Sequence, residues 1–506
     1  MIDVAVVGGG PVGMWLAAEL HRGGVRPVVL ERRTERSPRS KALTLYPRTV
    51  ELFAMRGIAD RWLDEGTQVP TSHFAMLTSR LDFSHLDTRF PFTLFLPQLR
   101  TEQLLEEHLA SLGVPYLREH AVTGLRQDAE GVDVDVMTPS GPDVLRAAYV
   151  VGCDGGASTV REAAGIGFLG TPATWSTIMG DVELADPPPG RALTLNLPGG
   201  SILVLALGGG RYRLVTVDHA TLYDQTEGPV TIGDLRASAL RLAGTDYGLR
   251  ETPDAWLSRV SNATSQAASY RAGRVLLAGD AAHIHYPAGG QGLNLGLQDA
   301  TNMAWKLAAT LRGWAPGWLL DSYQAERHPV GLEVVEDSLA QCALLANPSR
   351  EGVALRDRFN RLLATNPSLN HELAVRLSGL GISYPDGGRR VPDLALCGAP
   401  RGAPAASVFG LLAGARFVLL GLGAERGSGE PATARTAVAA GYSGRLEAVT
   451  AALAEDREDW AGVRQMLIRP DGYLAWSRGE GDATAEPPLA RWLGPADAGI
   501  RPAASA

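Results

Sequence analysis

The chain has 506 residues, of which 45% are hydrophobic and 20% are charged, and its formal net charge is −8. This composition is typical of a soluble globular enzyme of roughly two to four domains, and the negative charge argues against binding to nucleic acid or acidic membranes. No stretch is apolar over the roughly 20 residues that a membrane span needs. The three cysteines form no CxxC motif, so no disulfide framework is expected and a reducing cytoplasm fits.

The first predicted elements form a βαβ unit. Asp3–Val7 has the apolar run of a buried strand, Pro11–Arg22 has helical spacing, and Pro27–Glu31 predicts a second strand. No basic region precedes the first apolar run, which favours a strand over a signal peptide.

Two amphipathic helices are predicted next, in TVELFAMRGIADRWLDEG and in TEQLLEEHLASLG, the second with Thr101 as its N-cap. The segments 74–95 and 177–217 are strand-like and rich in turns, and Gly208–Gly210 predicts a hairpin turn. The segments YVVGCDGG and RVLLAGD predict buried strands of the parallel type.

Apolar residues at helical spacing predict a long helix after Gly292, and helical segments continue to about Gly381. The segment YPDGGRRVPDL predicts a domain boundary. Beyond it, ARFVLLGLG and RQMLIRPDGYLAWS predict strands, with a hairpin turn at Pro470–Gly472.

A glycine fingerprint joins the first strand to the first helix. Gly8 permits a tight turn, Gly10 lets a pyrophosphate approach the backbone, and Gly13 lets the helix pack close to the strand. Glu31 ends the next strand and can accept both ribose hydroxyls of a dinucleotide. The alternative is a glycine-rich turn without a ligand. The dinucleotide is NAD(P) or FAD, and although Arg32 and Arg33 fit a 2′-phosphate, Glu31 would repel one.

Two further motifs, YVVGCDGGASTVR at 149–161 and RVLLAGDAAHIHYPAGGQGLN at 274–294, follow the fingerprint in order. Together the three motifs resemble those of the class A FAD-dependent aromatic hydroxylases, which share the para-hydroxybenzoate hydroxylase-like fold. The segments SKALTLYPRTVELF, LPQLRTEQLL and LIRPDGYLAW resemble the branch that tailors aromatic polyketides such as anthracyclines, angucyclines and tetracyclines.

The resemblance implies roles for the glycine-rich segment that precedes the long helix. Asp280 would accept a hydrogen bond from the ribityl chain of FAD, and Pro287 and Gly289 would lie nearest the flavin ring. Gly290 and Gly292 would let the backbone approach that ring, and the amides of Leu293 and Asn294 would face the flavin N1/C2=O edge.

His283 and His285 have a spacing that invites a metal-site interpretation. No HExxH or similar pattern accompanies them. We therefore expect no metal, and we interpret both histidines as packing and hydrogen-bonding residues of the loop.

The resemblance also implies contacts between FAD or NAD(P)H and residues elsewhere in the chain. An alternative for Arg161 is a structural salt bridge, for example to Asp154, and an alternative for Arg100 is an ordinary surface position. Lys41 stands where many relatives have arginine, which weakens a phosphate role there and favours Arg48. The remaining expected cofactor contacts are Pro11, Arg32, Ala42, Gln98, Val122 and Asp154.

The activity that the resemblance implies is hydroxylation of a polycyclic aromatic polyketide through a flavin C4a-hydroperoxide, with FAD as cofactor, NADPH as co-substrate and O2 as oxidant. No protein nucleophile is expected. Alternatives are a Baeyer–Villiger, epoxidising or antibiotic-inactivating enzyme of the same fold, an oxygen-independent flavin reductase, and an NAD-dependent dehydrogenase. Candidate substrate contacts are Phe74, Phe90, Phe95 and Tyr212.

The expected fold class is α/β, with a Rossmann-type FAD-binding domain (1–72, 98–175 and 270–340) interrupted by a β-sheet substrate domain (73–97 and 176–269). A helical linker (341–388) and a thioredoxin-like C-terminal domain without CxxC (389–506) would follow. The protein is expected to be a cytoplasmic monomer or homodimer without nucleic-acid or membrane partners.

Overall fold

The computed structural model describes residues 2–224, 228–252, 255–385, 388–397, 407–423, 441–479 and 486–497. The N-terminal part alternates strands and helices. Its elements are β1 (Ile2–Val7), α1 (Pro11–Arg22), β2 (Pro27–Glu31), β3 (Thr44–Leu45), α2 (Pro47–Ala54), α3 (Ala59–Glu65), β4 (Thr67–Val69), β5 (Thr71–His73), β6 (Arg80–Asp82), β7 (Thr93–Phe95), α4 (Gln98–Ser111), β8 (Tyr116–Arg118), β9 (Ala121–Gln127), β10 (Val132–Thr138), β11 (Gly141–Gly152) and α5 (Thr159–Ala163).

The middle part begins with strands and ends with four consecutive long helices. Its elements are β12 (Phe168–Thr171), β13 (Ser176–Leu184), β14 (Ala192–Leu197), β15 (Gly200–Gly208), β16 (Arg211–Asp218), α6 (Ile232–Ala243), β17 (Leu249–Arg250), β18 (Trp256–Ser261), β19 (Thr264–Ala267), β20 (Arg271–Ala272), β21 (Val275–Leu277), β22 (His283–Ile284), α7 (Gly292–Leu311), α8 (Ser322–Leu345), α9 (Arg350–Thr365) and α10 (Pro367–Leu377).

The C-terminal part is mainly a small sheet. Its elements are β23 (Ser383–Tyr384), β24 (Gly388–Arg389), β25 (Leu396–Cys397), α11 (Val408–Leu411), β26 (Phe417–Leu422), β27 (Leu446–Leu453), β28 (Val463–Ile468), β29 (Leu474–Gly479) and α12 (Leu489–Leu493). No helix within the described residues is long and apolar enough to cross a membrane.

The first domain is built on an eight-stranded sheet with the path β20-β21-β11-β1-β2-β8. Strands β21, β11, β1, β2 and β8 run parallel to one another. The central strands β1, β2 and β21 are largely apolar and buried, and α1 packs against α7 on one side of the sheet. This confirms the predicted βαβ start and the two predicted parallel-type strands.

The second domain is an antiparallel sheet with the path β14-β15-β16-β13-β17, and β18 pairs with β13. One face packs against α6, and the other packs against an apolar cluster that includes Phe74 and Leu377. The predicted glycine turn at Gly208–Gly210 joins β15 to β16, and all three glycines have positive φ.

The C-terminal sheet has the order β25-β27-β26-β28-β29. Strands β26 and β27 are parallel, and the other pairs are antiparallel. The predicted hairpin turn at Pro470–Gly472 joins β28 to β29, and it enters the first domain between α2, α7 and α8 rather than facing solvent.

Two local predictions were wrong. The segment predicted as one helix forms α2 and α3, because Gly57 adopts φ +70° between them and interrupts the helical hydrogen bonds. Thr101 was predicted as an N-cap, but α4 begins earlier, after Pro97, so Thr101 lies buried inside the helix. The glycine and the proline determine these boundaries more strongly than the apolar spacing.

Candidate cofactor and active site

The three sequence motifs meet at one edge of the parallel sheet. Gly8 follows β1, Glu31 ends β2, Asp154 follows β11, and Asp280 follows β21. These four strands are consecutive neighbours, in the order β21, β11, β1, β2. Because parallel strands present their carboxyl ends at the same edge, the four residues share one rim, where dinucleotides bind in folds of this class.

The glycine fingerprint has the shape that its spacing predicts. Gly8 adopts φ +106°, and a Cβ there would lie 2.4 Å from the carbonyl oxygen of Cys153. A Cβ on Gly13 would lie 2.0 Å from the carbonyl oxygen of Gly8, so helix and strand touch at this point. A Cβ on Gly10 would meet nothing within 4 Å. The space above Gly10 therefore fits a ligand phosphate at the N-terminus of α1, where Pro11 is the first helical residue.

Glu31 faces this space and is partly engaged with the backbone. Its two carboxylate oxygens accept hydrogen bonds from the amides of Gly9, at 2.8 Å, and Arg33, at 2.9 Å. A carboxylate has roughly four acceptor positions, so positions remain for the ribose hydroxyls. Arg32 is exposed beside it, and Val122 lies in β9, two residues after the His120 amide that donates to the Glu31 carbonyl.

The loop after β21 delivers a carboxylate to the N-terminus of α7. Asp280 is exposed, and a Cβ built on Gly292 would lie 3.8 Å from its Oδ1 atom. The first helical hydrogen bond of α7 runs from the Leu295 amide to the Gln291 carbonyl, so the preceding amides, including those of Leu293 and Asn294, have no partner within the helix. A carboxylate acceptor and the amide donors of a helix start thus stand together, which fits the FAD contacts that the resemblance implies.

The backbone of the flavin loop, defined as residues 287–292, requires glycine. Gly289 and Gly290 both have positive φ, +72° and +66°. A Cβ on Gly290 would lie 2.9 Å from Oγ1 of Thr44, and one on Gly289 would lie 3.0 Å from a methyl carbon of Leu377. Pro287 is exposed beside them. Side chains at these glycines would both strain the loop and collide with its neighbours.

Asn294 ties the flavin loop to the segment before α2. Its side chain accepts hydrogen bonds from the Tyr46 amide and the Thr49 hydroxyl, each at 2.8 Å, and donates to the carbonyls of Thr44 and Gly290, each at 3.1 Å. The Tyr46 hydroxyl donates to the carbonyl of Gly289. Asn294 therefore has a side-chain role beside the predicted backbone role, and Tyr46 was missed because nothing in the local sequence marks it.

His283 belongs to a buried ionic cluster beneath the loop. Its Nε2 atom lies 2.7 Å from Oδ2 of Asp299, and the Arg327 guanidinium donates to Oδ1 of the same carboxylate at 2.7 Å. Burial would raise the pKa of Asp299, but Arg327 and His283 lower it. The Gly279 amide also donates to Asp299, at 3.3 Å. His283 thus helps to fix the turn that carries Asp280, which agrees with the packing interpretation.

His285 and the whole described chain give no support to a metal site. The Nδ1 atom of His285 lies 2.8 Å from the Tyr286 carbonyl, and burial lowers the pKa of the imidazole. No group of three or more metal-ligating side chains occurs among the described residues.

The second motif forms its own loop. The Asp154 carboxylate accepts from the Ser158 hydroxyl and from the Val160 amide at 3.2 Å, while Ser158 caps α5. Burial raises the pKa of Asp154. Arg161 does not pair with Asp154; it donates to the carbonyl of Ala281, at 3.1 Å, and so links the second motif to the third.

Arg48 does not face the phosphate position. Its side chain is 1% exposed, and its guanidinium donates to Glu51, at 2.8 Å, and to the carbonyl of Asp471, at 2.7 Å. The prediction that Arg48 binds phosphates was wrong, because its guanidinium is hydrogen-bonded to a turn of the C-terminal domain. That turn lies 423 residues away in sequence. Arg100 pairs with Glu65 on α3, which fits the surface-residue alternative.

The segment around Lys41 is held from two sides. The Gln98 side chain accepts from the Ala42 amide at 3.0 Å. Arg213, on β16, donates to the carbonyl of Lys41 at 2.7 Å and forms a buried ion pair with Asp181. The Lys41 side chain is exposed. Arg213 was not predicted, because only the tertiary fold brings β16 to this segment.

The antiparallel sheet of the second domain (β13–β18), named the substrate sheet after its expected role, presents alternating residues to the flavin loop and to α6. Phe74 and Leu203 lie in an apolar cluster with Tyr286 and Ala288 of the loop region. Tyr212 instead packs with the cluster around α6, so its prediction as a substrate contact was wrong. The prediction for Phe90 was also wrong, since it lies in the main core against Phe92.

Phe95 lies on β7 opposite Thr44 and between two residues that point into the main core, so it faces away from that core.

Another residue of this region was missed by the sequence reasoning. Gln341, on α8, accepts from the amide of Ala75 at 2.9 Å. Ala75 and Met76 have left-handed backbones, with φ +49° and +50°. This side chain thus holds a strained segment beside the flavin loop.

Comparison with known proteins agrees with this geometry. Residues 1–338 match the model of the FAD binding domain, and residues 384–496 match that of the aromatic-ring hydroxylase C-terminal domain. The chain belongs to the class A flavoprotein aromatic hydroxylases. It is therefore an FAD-binding monooxygenase by family, and the resemblance read from the three motifs is confirmed.

Relatives of this flavoprotein cover nearly its whole length. It is 43% identical to an uncharacterised aromatic compound monooxygenase of Bacillus subtilis, over 94% of each chain. The structure of the anhydrotetracycline hydroxylase from Streptomyces rimosus matches with a TM-score of 0.87 and 40% identity, over 98% of this chain and 99% of that one. A dialkyldecalin synthase of Streptomyces rugosporus is 37% identical, over 97% of this chain and 99% of its own.

Proposed function

We propose that this flavoprotein hydroxylates a polycyclic aromatic polyketide, using NADPH and O2. The observation that carries the proposal is the rim shared by Gly8, Glu31, Asp154 and Asp280 at the ends of four neighbouring parallel strands. Beside it, Tyr286 and Ala288 pack with Leu203 and Val215 of the antiparallel sheet. The similarity to an anhydrotetracycline hydroxylase over the whole chain supports a fused-ring substrate.

FAD, when bound, supplies the chemistry, by taking a hydride from the pyridine nucleotide and transferring one oxygen atom of O2 to the substrate. The chain's own residues hold and orient it. Gly10 and the N-terminus of α1 receive the pyrophosphate, Glu31 the ribose, and Asp280 the ribityl chain. The amides of Leu293 and Asn294 donate to the pyrimidine edge of the ring, where they stabilise negative charge.

The substrate lies between the flavin loop and the inner face of the sheet. Phe74, Leu203 and Val215 share one buried apolar cluster there, and we keep Phe95 on β7 as a candidate substrate contact. Such walls bind flat apolar rings and exclude water from the reacting position. No described residue needs to act as a nucleophile in this reaction.

The same proposal includes the domain boundaries, the fold of the C-terminal sheet, the cellular location and the oligomeric state. The domain boundaries follow the sequence interpretation, and the C-terminal sheet is thioredoxin-like. Its central parallel pair with antiparallel strands beyond it supports this assignment. It carries no redox function, since it has no CxxC motif. We also propose that the protein works in the cytoplasm as a monomer or homodimer, with no nucleic-acid or membrane partner.

An experiment must distinguish hydroxylation from other reactions that proteins of this fold catalyse, because one relative is named a synthase. We expect the purified protein to release FAD on acid precipitation. We also expect a fused-ring phenol to stimulate NADPH oxidation and O2 uptake and to gain one ¹⁸O atom from ¹⁸O2, as seen by mass spectrometry. Ring insertion or epoxidation would appear in the fragmentation pattern. Substrate conversion without O2 uptake would reject the hydroxylase proposal and leave the FAD-binding assignment intact.

A further inference from the structure

A cavity of about 210 Å³ lies along the flank of α7 and borders the flavin loop at Gln291. Its walls come from α7, α8, the end of α10 and the segment after it. Residues of the glycine fingerprint, Asp280 and the substrate sheet do not line it. A single water molecule needs roughly 10 to 15 Å³ of cavity volume. The cavity is many times larger than that, so a small ring compound fits. The apolar walls are formed by Leu295, Val330, Val334, Val375 and Ile382.

Two side-chain amides line the cavity, those of Gln291 and Gln298. Gln291 is 6% exposed at the N-cap of α7, and Gln298 is 7% exposed within that helix. Among the described residues, the Oε1 atom of Gln298 is buried without a hydrogen-bond partner, whereas the side chain of Asn294 has four. A buried amide oxygen without a donor is costly, and a ligand hydroxyl in the cavity would supply that donor.

The rim of the cavity selects against anions. Glu333, Asp337 and Glu372 stand there with a single cation, Arg376, which donates to Glu333 at 2.9 Å and to Asp337 at 3.2 Å. The excess of negative charge repels phosphates and carboxylates. A pyridine nucleotide is therefore a poor occupant, and an uncharged molecule is a better one.

We propose that this cavity is a second ligand site, and that it takes an uncharged ring compound carrying hydroxyl or carbonyl groups. The ring packs against the aliphatic walls, and its oxygen atoms exchange hydrogen bonds with the amides of Gln291 and Gln298. Tyr46 and Asn294, the two braces of the flavin loop, form one wall of the site. The proposal does not depend on which reaction the enzyme catalyses.

The test measures binding of 1-naphthol to the FAD-loaded full-length protein by titration calorimetry. Val334→Trp fills the cavity, whereas Leu332→Trp places the same indole on a side chain of α8 that is 46% exposed and serves as the matched control. We expect Val334→Trp to remove this binding event or weaken it at least about tenfold, and Leu332→Trp to leave it unchanged. 1-Naphthalenesulfonate should bind about tenfold more weakly than 1-naphthol, or not at all.

Gln298→Leu keeps the size of the side chain and removes its amide, so it tests the hydrogen bond without filling the cavity. We expect about tenfold weaker binding of 1-naphthol with unchanged FAD content. Equal binding of 1-naphthol to the wild-type protein and to Val334→Trp would place the probe elsewhere and overturn the proposal, as would the absence of binding to the wild-type protein. These outcomes are independent of O2 uptake, which tests the hydroxylase proposal.

Discussion

At the scale of single residues, Gly13 and Gly10 at the start of α1 have different roles, the first in folding and the second in cofactor binding. A Cβ on Gly13 would lie 2.0 Å from the carbonyl oxygen of Gly8, whereas one on Gly10 would enter empty space. We expect Gly13→Ala to lower the melting temperature of the cofactor-free protein. Gly10→Ala should leave that temperature unchanged and weaken FAD binding, because its methyl group occupies the phosphate position. Differential scanning fluorimetry and flavin fluorescence titration measure the two effects. Equal FAD affinity of Gly10→Ala and the wild-type protein would contradict the assignment.

Asp280 carries the second prediction at this scale. Hydrogen bonds to charged groups contribute about 1.5 to 3 kcal/mol, so Asp280→Ala should raise the dissociation constant of FAD about 10- to 100-fold. Asp321→Ala is the control, since Asp321 pairs with Arg271 on the surface and its side chain is 70% exposed. The measurement is quenching of FAD fluorescence on titration with apoprotein. An Asp280 variant that binds FAD as tightly as the control would remove the ribityl role.

At the scale of elements, α7 depends on the buried cluster of Asp299, His283 and Arg327. Asp299→Asn leaves the Arg327 cation without its carboxylate, and breaking a buried pair in this way costs about 3 to 5 kcal/mol. The lowered pKa of Asp299 means that its contribution is complete at neutral pH and is lost only as the pH falls through that lowered value. The difference in unfolding free energy between variant and wild type should therefore stay constant from about pH 7 to pH 5. Urea denaturation at several pH values tests this, and a difference that shrinks over this range would show that the carboxylate is not ionised as described.

The sequence predicted the features that depend on neighbouring residues better than those that depend on distant segments. The glycine fingerprint, the strand ends and the start of α7 depend on residues close together in sequence, so spacing alone located them. Arg48 and Tyr212 were placed wrongly because their surroundings come from distant segments. The guanidinium of Arg48 binds a turn 423 residues away, and Tyr212 lies on the α6 side of an alternating strand. Local patterns give the elements but not the direction in which each side chain points.

At the scale of the whole molecule, the turn between β28 and β29 joins the C-terminal sheet to the first domain. Arg469 forms buried ion pairs with Glu326, at 2.8 Å, and with Asp471. Lys306 donates to Glu326 at 2.8 Å, and burial lowers the pKa of Lys306 to about 8 although Glu326 opposes the shift. The pair of Arg469 and Glu326 joins the two domains, so their separation would break a buried ion pair.

This arrangement predicts that the two domains unfold together. Arg469→Leu should lower the unfolding free energy of the entire chain by about 3 to 5 kcal/mol, since it leaves the carboxylates of Glu326 and Asp471 short of a partner. Loss of FAD fluorescence quenching and loss of far-UV circular dichroism should coincide on heating, in the variant as in the wild type. Arg416→Leu is the control, because its pair with Glu447 lies on the surface of the same domain, and it should change little. Two separate transitions, with FAD retained after the C-terminal sheet has melted, would show that the ionic turn does not couple the domains.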